Sequence, residues 1–240
     1  MKALIFAAGE GKRMQPYTFE KPKPMIELLG KPLLHHLFDS LPDSIDEVIL
    51  VVGYKAEQIK DYFGVVFNGR RIHYVQQDRA TGTAHALFLA RPYLTRGENF
   101  LALYADDLHD KKAMEKSLTY DRSLLVKYEE KPEKFGVVSI DKDKKVLELE
   151  EKPEKPKSNL VSIGVYVLDE KIFQYQPQMH KGEYYMATMI GDMLKDHPIY
   201  AVESDFWIPI GYPEDLKKAE EILTKGVTQK AMMNKVEEKV

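Results

Sequence analysis

The sequence predicts an α/β fold: a mixed, mainly parallel sheet with helices on both faces, plus a small β-rich portion in the second half. Short continuous apolar runs, as expected of strands buried on both faces, alternate with helical stretches four times before residue 118. Beyond residue 122 strand-like runs follow one another across turn residues, which implies the β-rich portion. The polar clusters Gly9–Arg13, Gln77–Gly82 and Asp106 all fall at carboxyl ends of predicted strands, where open α/β sheets hold their ligands.

Ala3–Ala8 is a short apolar run closed by Gly9, the pattern of a buried strand. Leu33–Leu41 has helical spacing after Pro32, a residue suited to a first turn. Glu47–Val52 carries the apolar run of a second strand, and Ala56–Phe63 a helix with Ile59, Tyr62 and Phe63 on one side. Ile72–Val75 and Thr83–Ala90 repeat the unit, and Phe100–Ala105 ends the fourth strand at Asp106 and Asp107. Strands are then expected over Ser123–Tyr128, Val137–Ile140, Val146–Leu149 and Val161–Val167, and helices over Glu183–Leu194 and Pro213–Leu223. Residues 225–240 read as a terminal helix or frayed tail. No stretch rich in Gly, Ser or Pro divides the chain. The expectation is one domain over 1–224, with halves 1–118 and 119–224.

Of the 240 residues, 44% are apolar and 30% charged, which allows a substantial core and excludes wholesale disorder. With 35 basic and 38 acidic residues the net charge is -3, so no overall field favours a nucleic-acid backbone. Any phosphate must be held by a few local groups. The absence of cysteine excludes disulfides, thiolate catalysis and cysteine metal sites. The opening apolar run is too short for a signal sequence or a membrane span, so a cytoplasmic protein is expected.

After the first strand stands Ala7-Ala8-Gly9-Glu10-Gly11-Lys12-Arg13-Met14, with Pro22-Lys23-Pro24 further on. Glycines there let main-chain N–H groups approach an anion; Arg13 offers a planar donor fork and Lys23 a point charge. The spacing matches neither the dinucleotide fingerprint nor a Walker loop. At Gln76-Gln77-Asp78-Arg79-Ala80-Thr81-Gly82-Thr83-Ala84-His85-Ala86, a strand ends and a helix opens. A glutamine amide there suits a pyrimidine imide edge, while an ordinary capped helix start explains the stretch equally well. His85 reads as a packing residue. Asp106, at a strand end, is a hard oxygen ligand suited to Mg²⁺. His109 and Asp110 read as caps of the next helix rather than metal ligands.

Leu4-Ile5-Phe6-Ala7-Ala8-Gly9-Glu10-Gly11-Lys12-Arg13-Met14, followed by Lys21-Pro22-Lys23-Pro24-Met25, resembles the signature of the sugar-1-phosphate nucleotidyltransferases. The likeness spans most of residues 1–224 and implies a Rossmann-like sheet with an acceptor-binding portion. It implies that Ala7, Ala8, Gly9, Gly11, Gln77, Gly82 and Thr83 hold the nucleotide, with UTP or dTTP favoured and a guanine pocket still open. Arg13, Lys23 and Lys152 would carry catalysis by offsetting phosphate charge. Asp106 would hold Mg²⁺. Phe135-Gly136-Val137-Val138, Glu150-Glu151-Lys152-Pro153 and Ser162-Ile163-Gly164-Val165-Tyr166 resemble the family's sugar-phosphate region. Gly136, Glu151, Lys152 and Gly164 would therefore face the sugar 1-phosphate. Gly182-Glu183-Tyr184 resembles a segment that opens a helix near the sugar, although Ala187-Thr188 replaces the usual Thr-Asp.

The chain departs from the pattern once more. Trp207-Ile208-Pro209-Ile210-Gly211-Tyr212-Pro213-Glu214-Asp215 matches a family stretch whose third residue is a second metal-binding aspartate. Pro209 occupies that place, leaving Asp106, with Asp107 or Asp205, to hold the ion. The resemblance implies an enzyme joining a nucleotidyl group to a sugar 1-phosphate, with no nucleic-acid or membrane partner and with a homo-oligomer left open. Two alternatives remain at this point: a weak or inactive nucleotide-sugar-binding regulatory homologue, and a CMP transferase acting on a phosphorylated alcohol.

Overall fold

The structure, a computed structural model, describes residues 1–180 and 182–237. Its apolar runs form strands β1 (Lys2–Ala7), β2 (Glu47–Val52), β3 (Val66–Phe67), β4 (Arg70–Gln76) and β5 (Phe100–Tyr104). They continue as β6 (Ser123–Tyr128), β7 (Gly136–Ile140), β8 (Val146–Glu151), β9 (Leu160–Leu168) and β10 (Tyr200–Glu203). The helices are α1 (Leu33–Ser40), α2 (Ala56–Phe63), α3 (Thr83–Ala90), α4 (Lys111–Ser117), α5 (Met186–Met193) and α6 (Pro213–Glu237).

Among the described residues these ten strands join in one sheet, running β8-β7-β9-β5-β1-β2-β4-β3, with β6 against β9 and β10 against β6. The block β5-β1-β2-β4 is parallel, with Ala3 opposite Val48 and Leu101, as the strand–helix alternation predicts. Strand β9 turns the sheet over, pairing antiparallel with β5, β6 and β7. The expected β-rich portion is thus continuous with the parallel block.

Side chains alternate across a strand, and the core divides accordingly. Ala3, Ile5, Val48 and Leu50 pack under α1, α2 and α4 through Leu34, Phe38, Ile59, Phe63 and Met114. Leu4, Ile49 and Val51 pack on the other face against Ala86 and Leu87 of α3 and Met189 and Ile190 of α5. Leu50 has no exposed surface, so truncating it to alanine would cost about 2–5 kcal/mol.

One helix differs from expectation. Glu183–Tyr184 is not the start of α5; it pairs antiparallel with Met179–His180, and α5 begins at Met186. Helix α6 continues through the expected tail to Glu237; residues 238–240 lie outside the described residues. Among the described residues no helix is long and apolar enough to cross a membrane.

Candidate active site

The parallel strands deliver their carboxyl ends to one edge, and the turns there are held against one another. Ala8 O and Gln77 O would each lie 2.8 Å from a Cβ placed on Gly53, so the ends of β1, β2 and β4 meet with no space to spare. After β1, Gly11 adopts φ 63°, and a Cβ on it would meet Lys23 Cβ at 2.9 Å and Thr18 Cγ2 at 3.0 Å. The glycine is what lets the 23–25 turn fold back onto the loop. Thr18 Oγ1 donates to Gly11 O at 3.0 Å, and Tyr54 Oη donates to Thr18 O at 2.9 Å, tying the loop to the turn after β2.

That folding carries Lys23 inward. The lysine is only 8% exposed, and its Nζ donates to Asp106 Oδ2 at 2.5 Å, across 83 positions of sequence. A buried ammonium requires such a partner. Arg13 stays exposed on the loop, and its guanidinium centre lies 5.2 Å from the Tyr212 ring centroid.

Asp106 and Asp107 lie in the turn just beyond β5 and have different partners. Asp107 faces inward: its Oδ2 accepts from Trp207 Nε1 at 3.0 Å and its Oδ1 from Ile210 N at 3.1 Å. Burial, with the Asp106 charge adding, pushes its carboxyl up to about 7 despite Lys23 and these donors. Asp107 clamps the 207–210 segment, with one donor on each carboxylate oxygen. Asp205 is exposed, and its main-chain oxygen accepts from Lys127 Nζ at 2.9 Å. His109 does not cap α4. It lies 4% exposed in a short strand opposite Trp207, whereas Asp110 caps the helix by accepting from Lys112 N at 3.0 Å. Neither ring nitrogen of His109 has a hydrogen-bond partner, and burial takes its pKa down to about 4.

Among the described residues no three His, Asp or Glu side chains form a metal cluster. Glu10 in the Gly9–Arg13 loop is paired with Lys12, while Asp106 supplies one hard carboxylate beside that loop. That donor fits Mg²⁺, which keeps several waters and takes its remaining ligands from phosphates. It fits a dedicated protein cage poorly.

At the β4–α3 turn Gln77 is 5% exposed, and its Nε2 donates to Gly82 O at 3.2 Å. His85 is more than packing: its Nδ1 lies 3.2 Å from that amide nitrogen and 2.7 Å from Thr81 Oγ1, fixing the glutamine. Gly82 has φ 111°, and a Cβ there would lie 2.3 Å from Tyr184 O. Tyr184 N in turn donates to Thr81 O at 3.0 Å. The short 183–184 strand therefore seals this turn. Thr83 Oγ1 accepts from Met186 N at 2.9 Å, joining α3 to the start of α5.

The next residue, Tyr185, leads to the acceptor side. Lys152 Nζ stands 4.7 Å from the Tyr185 ring centroid and 3.1 Å from Glu151 Oε1. Lys152 has φ 46°, a sparsely populated conformation for a side-chain-bearing residue. Burial lowers its pKa, but the Glu151 carboxylate and the Tyr185 hydroxyl outweigh it, and the ammonium stays above its ordinary value. Gly136 lies on the neighbouring strand; a Cβ there would come within 3.5 Å of Glu151 Oε2. Gly164 sits at the irregularity of β9, where the Tyr104 ring occupies the place a Cβ would take. Tyr166 is buried and Tyr104 partly buried, and Ser162 Oγ donates to Tyr166 Oη at 2.9 Å. Burial pushes Tyr166 up to about 12 and holds Tyr104 well above its ordinary value, so both hydroxyls stay protonated.

The expected residues thus form a continuous path: the Gly9–Arg13 loop, Lys23 and Asp106, the Gln77–Gly82 turn, then Glu151 and Lys152 beyond Tyr184–Tyr185. Tyr185, His85 and Tyr212 are additions. Their only sequence signal was proximity to motifs read for other reasons.

A glycine loop, a buried lysine–carboxylate pair and a second lysine thus stand along one edge of the sheet. The profile of the Nucleotidyl transferase family matches residues 2–226, and the chain belongs to that family. It is 34% identical to the bifunctional protein GlmU of Methanocaldococcus jannaschii over 100% of this chain, spanning 58% of that relative's length. It is 35% identical to the UTP–glucose-1-phosphate uridylyltransferase AglF of Haloferax volcanii, over 95% of this chain and 99% of that protein. The structure of a putative glucose-1-phosphate thymidylyltransferase from Bacillus anthracis superposes with a TM-score of 0.82 at 25% identity, over 92% of this chain and 94% of that one.

Proposed function

We propose that the chain transfers a nucleotidyl group from UTP or dTTP to a sugar 1-phosphate, releasing pyrophosphate and forming a nucleotide sugar. The observation that carries this reading is the buried Lys23–Asp106 pair set against the glycine loop. A lysine and a carboxylate there suit a triphosphate and its cation, respectively. Residues 1–118 serve as the nucleotide half and 119–224 as the sugar-phosphate half.

The reaction is an in-line displacement. An oxygen of the sugar 1-phosphate bonds to the α-phosphorus, and the bond from that phosphorus to the β-phosphate oxygen breaks. The acceptor is already ionised, so no side chain needs to remove a proton. The chain's work is positioning and charge neutralisation. Main-chain N–H groups of the Gly9–Gly11 loop and the Arg13 fork hold the triphosphate. Lys23 would turn from Asp106 to the phosphates, and Asp106 would hold Mg²⁺, which when bound would supply positive charge against the leaving pyrophosphate. Gln77, fixed by His85, faces the base, with Gly82 admitting it closely. Glu151 accepts sugar hydroxyls, and Lys152, steadied on Tyr185, pairs with the acceptor phosphate. Gly136 and Gly164 let Glu151 and the Tyr104 ring pack closely behind the sugar. The aromatic face on this side is already taken by Lys152, which argues against a choline-type acceptor.

Pro209 favours a second reading, a nucleotide-sugar-binding regulatory homologue without turnover. Pyrophosphate release, measured with Mg²⁺, each of four NTPs and a panel of hexose 1-phosphates, separates the two. Release that needs one NTP and one sugar phosphate supports the transferase; tight binding with no release from any pair supports the regulator.

A further inference from the structure

We propose that Tyr212 is the positioning residue for Arg13, an aromatic shelf that aims the guanidinium at the triphosphate without using up its donors. This rests on the reading of the 9–13 loop as the phosphate loop.

Among the described residues Arg13 is exposed and makes no ion pair with a carboxylate; the Tyr212 ring centroid lies 5.2 Å from its guanidinium. A carboxylate would also steady an arginine, but it would occupy two N–H donors and neutralise the charge. A ring face attracts the cation through its quadrupole and leaves the N–H edges free. For a group that must meet phosphate oxygens, the ring is the better support.

The shelf is itself fixed. Asp215 Oδ2 accepts from Gly211 N at 2.9 Å and from Tyr212 N at 2.8 Å, and Asp215 N donates to Tyr212 O at 3.0 Å. Upstream, Asp107 holds Trp207 Nε1 and Ile210 N. Between these anchors lies Pro209, whose ring locks φ and removes a donor. The 207–212 segment is therefore a strut from the residue beside Asp106 to the ring beneath Arg13. Pro209 stiffens that strut where the family pattern has a metal ligand.

The test is a double-mutant cycle read by calorimetric binding of inorganic tripolyphosphate with Mg²⁺, a probe that needs neither a base nor turnover. Y212F keeps the ring and is expected within about twofold of the unsubstituted protein. Y212A is expected to bind about three- to tenfold more weakly, the size of a cation–π contact. In the R13A background the same substitution should change nothing beyond about twofold. Where turnover is present, Y212A should raise the KM for the NTP and leave that for the sugar phosphate unchanged, at an unaltered melting temperature. An undiminished Y212A loss in the R13A background overturns the shelf, as does an unsubstituted protein that fails to bind tripolyphosphate. Coupled binding without pyrophosphate release leaves the shelf standing and removes the transferase reading. Release with uncoupled losses does the reverse.

Discussion

Replacing Gly82 by alanine adds one methyl group where three main-chain atoms of Tyr184 stand, at 2.3, 2.6 and 2.8 Å from the new carbon. Main-chain atoms cannot rotate aside like a lysine tip, so the 183–184 strand or the 78–82 turn must move. Overpacking of that kind costs about 1–3 kcal/mol. The conformation adds its own cost. Gly82 has φ 111° and ψ 171°, a region occupied essentially by glycine, for about 1–3 kcal/mol more. Partial relaxation leaves about 3 kcal/mol, or roughly 6–12 °C of melting temperature for a chain of this size. Gly97 is the control: its φ is 77° but nothing lies within 4 Å, so G97A bears conformational strain alone. It should lose about 1 kcal/mol and roughly 2–4 °C. Thermal unfolding by circular dichroism measures both. G82A should also bind UTP or dTTP at least about tenfold more weakly, because Gly82 O and Thr81 O anchor Gln77 and Tyr184. Equal melting shifts for G82A and G97A would refute the steric argument.

Other substitutions separate the roles of the charged groups. K23A should lower kcat/KM by about 10²–10³ with the fold retained, the loss typical of one preorganised electrostatic group, measured by pyrophosphate release. P209D places a second carboxylate on the 207–210 segment near Asp106, and the half-saturating Mg²⁺ concentration should fall severalfold in a metal titration of the same assay. His109 has its folded pKa depressed to about 4, from 6.5, so the unfolded chain binds the extra proton. The stability due to its neutral form is present above pH 6.5 and is lost as pH falls toward 4, up to about 3 kcal/mol. H109F should flatten that decline in urea denaturation between pH 4 and 6.5; a decline as steep as before would place the titration elsewhere.

The parallel block was readable because strands buried on both faces leave unbroken apolar runs such as Val48–Val52, a signal independent of what they pair with. The Gly9–Arg13 loop was readable as a glycine turn directly after a strand, while its reading as a phosphate site drew on Arg13, Lys23 and the family resemblance. What binds those pieces together was not readable. The Lys23–Asp106 bond spans 83 positions, and no local pattern announces it. The 183–184 strand reads like helix because no breaker separates it from the apolar run Met186, Met189, Ile190 and Met193. It is extended because Thr81 O and the bare face of Gly82 take its main chain. The inward turn of Asp107 had no local signal, because residues 105–107 form a turn beyond the strand and strand alternation does not reach them. The strained backbone of Lys152 had none.

The most direct measurement follows the α-phosphorus. With UTP labelled at the α-phosphate, Mg²⁺ and the hexose 1-phosphate that supports release, the label should appear in the nucleotide sugar and the pyrophosphate should carry none. Label recovered as free UMP, or label left in UTP while the nucleotide sugar binds tightly, would contradict transfer to the sugar phosphate by Lys23, Arg13 and Lys152.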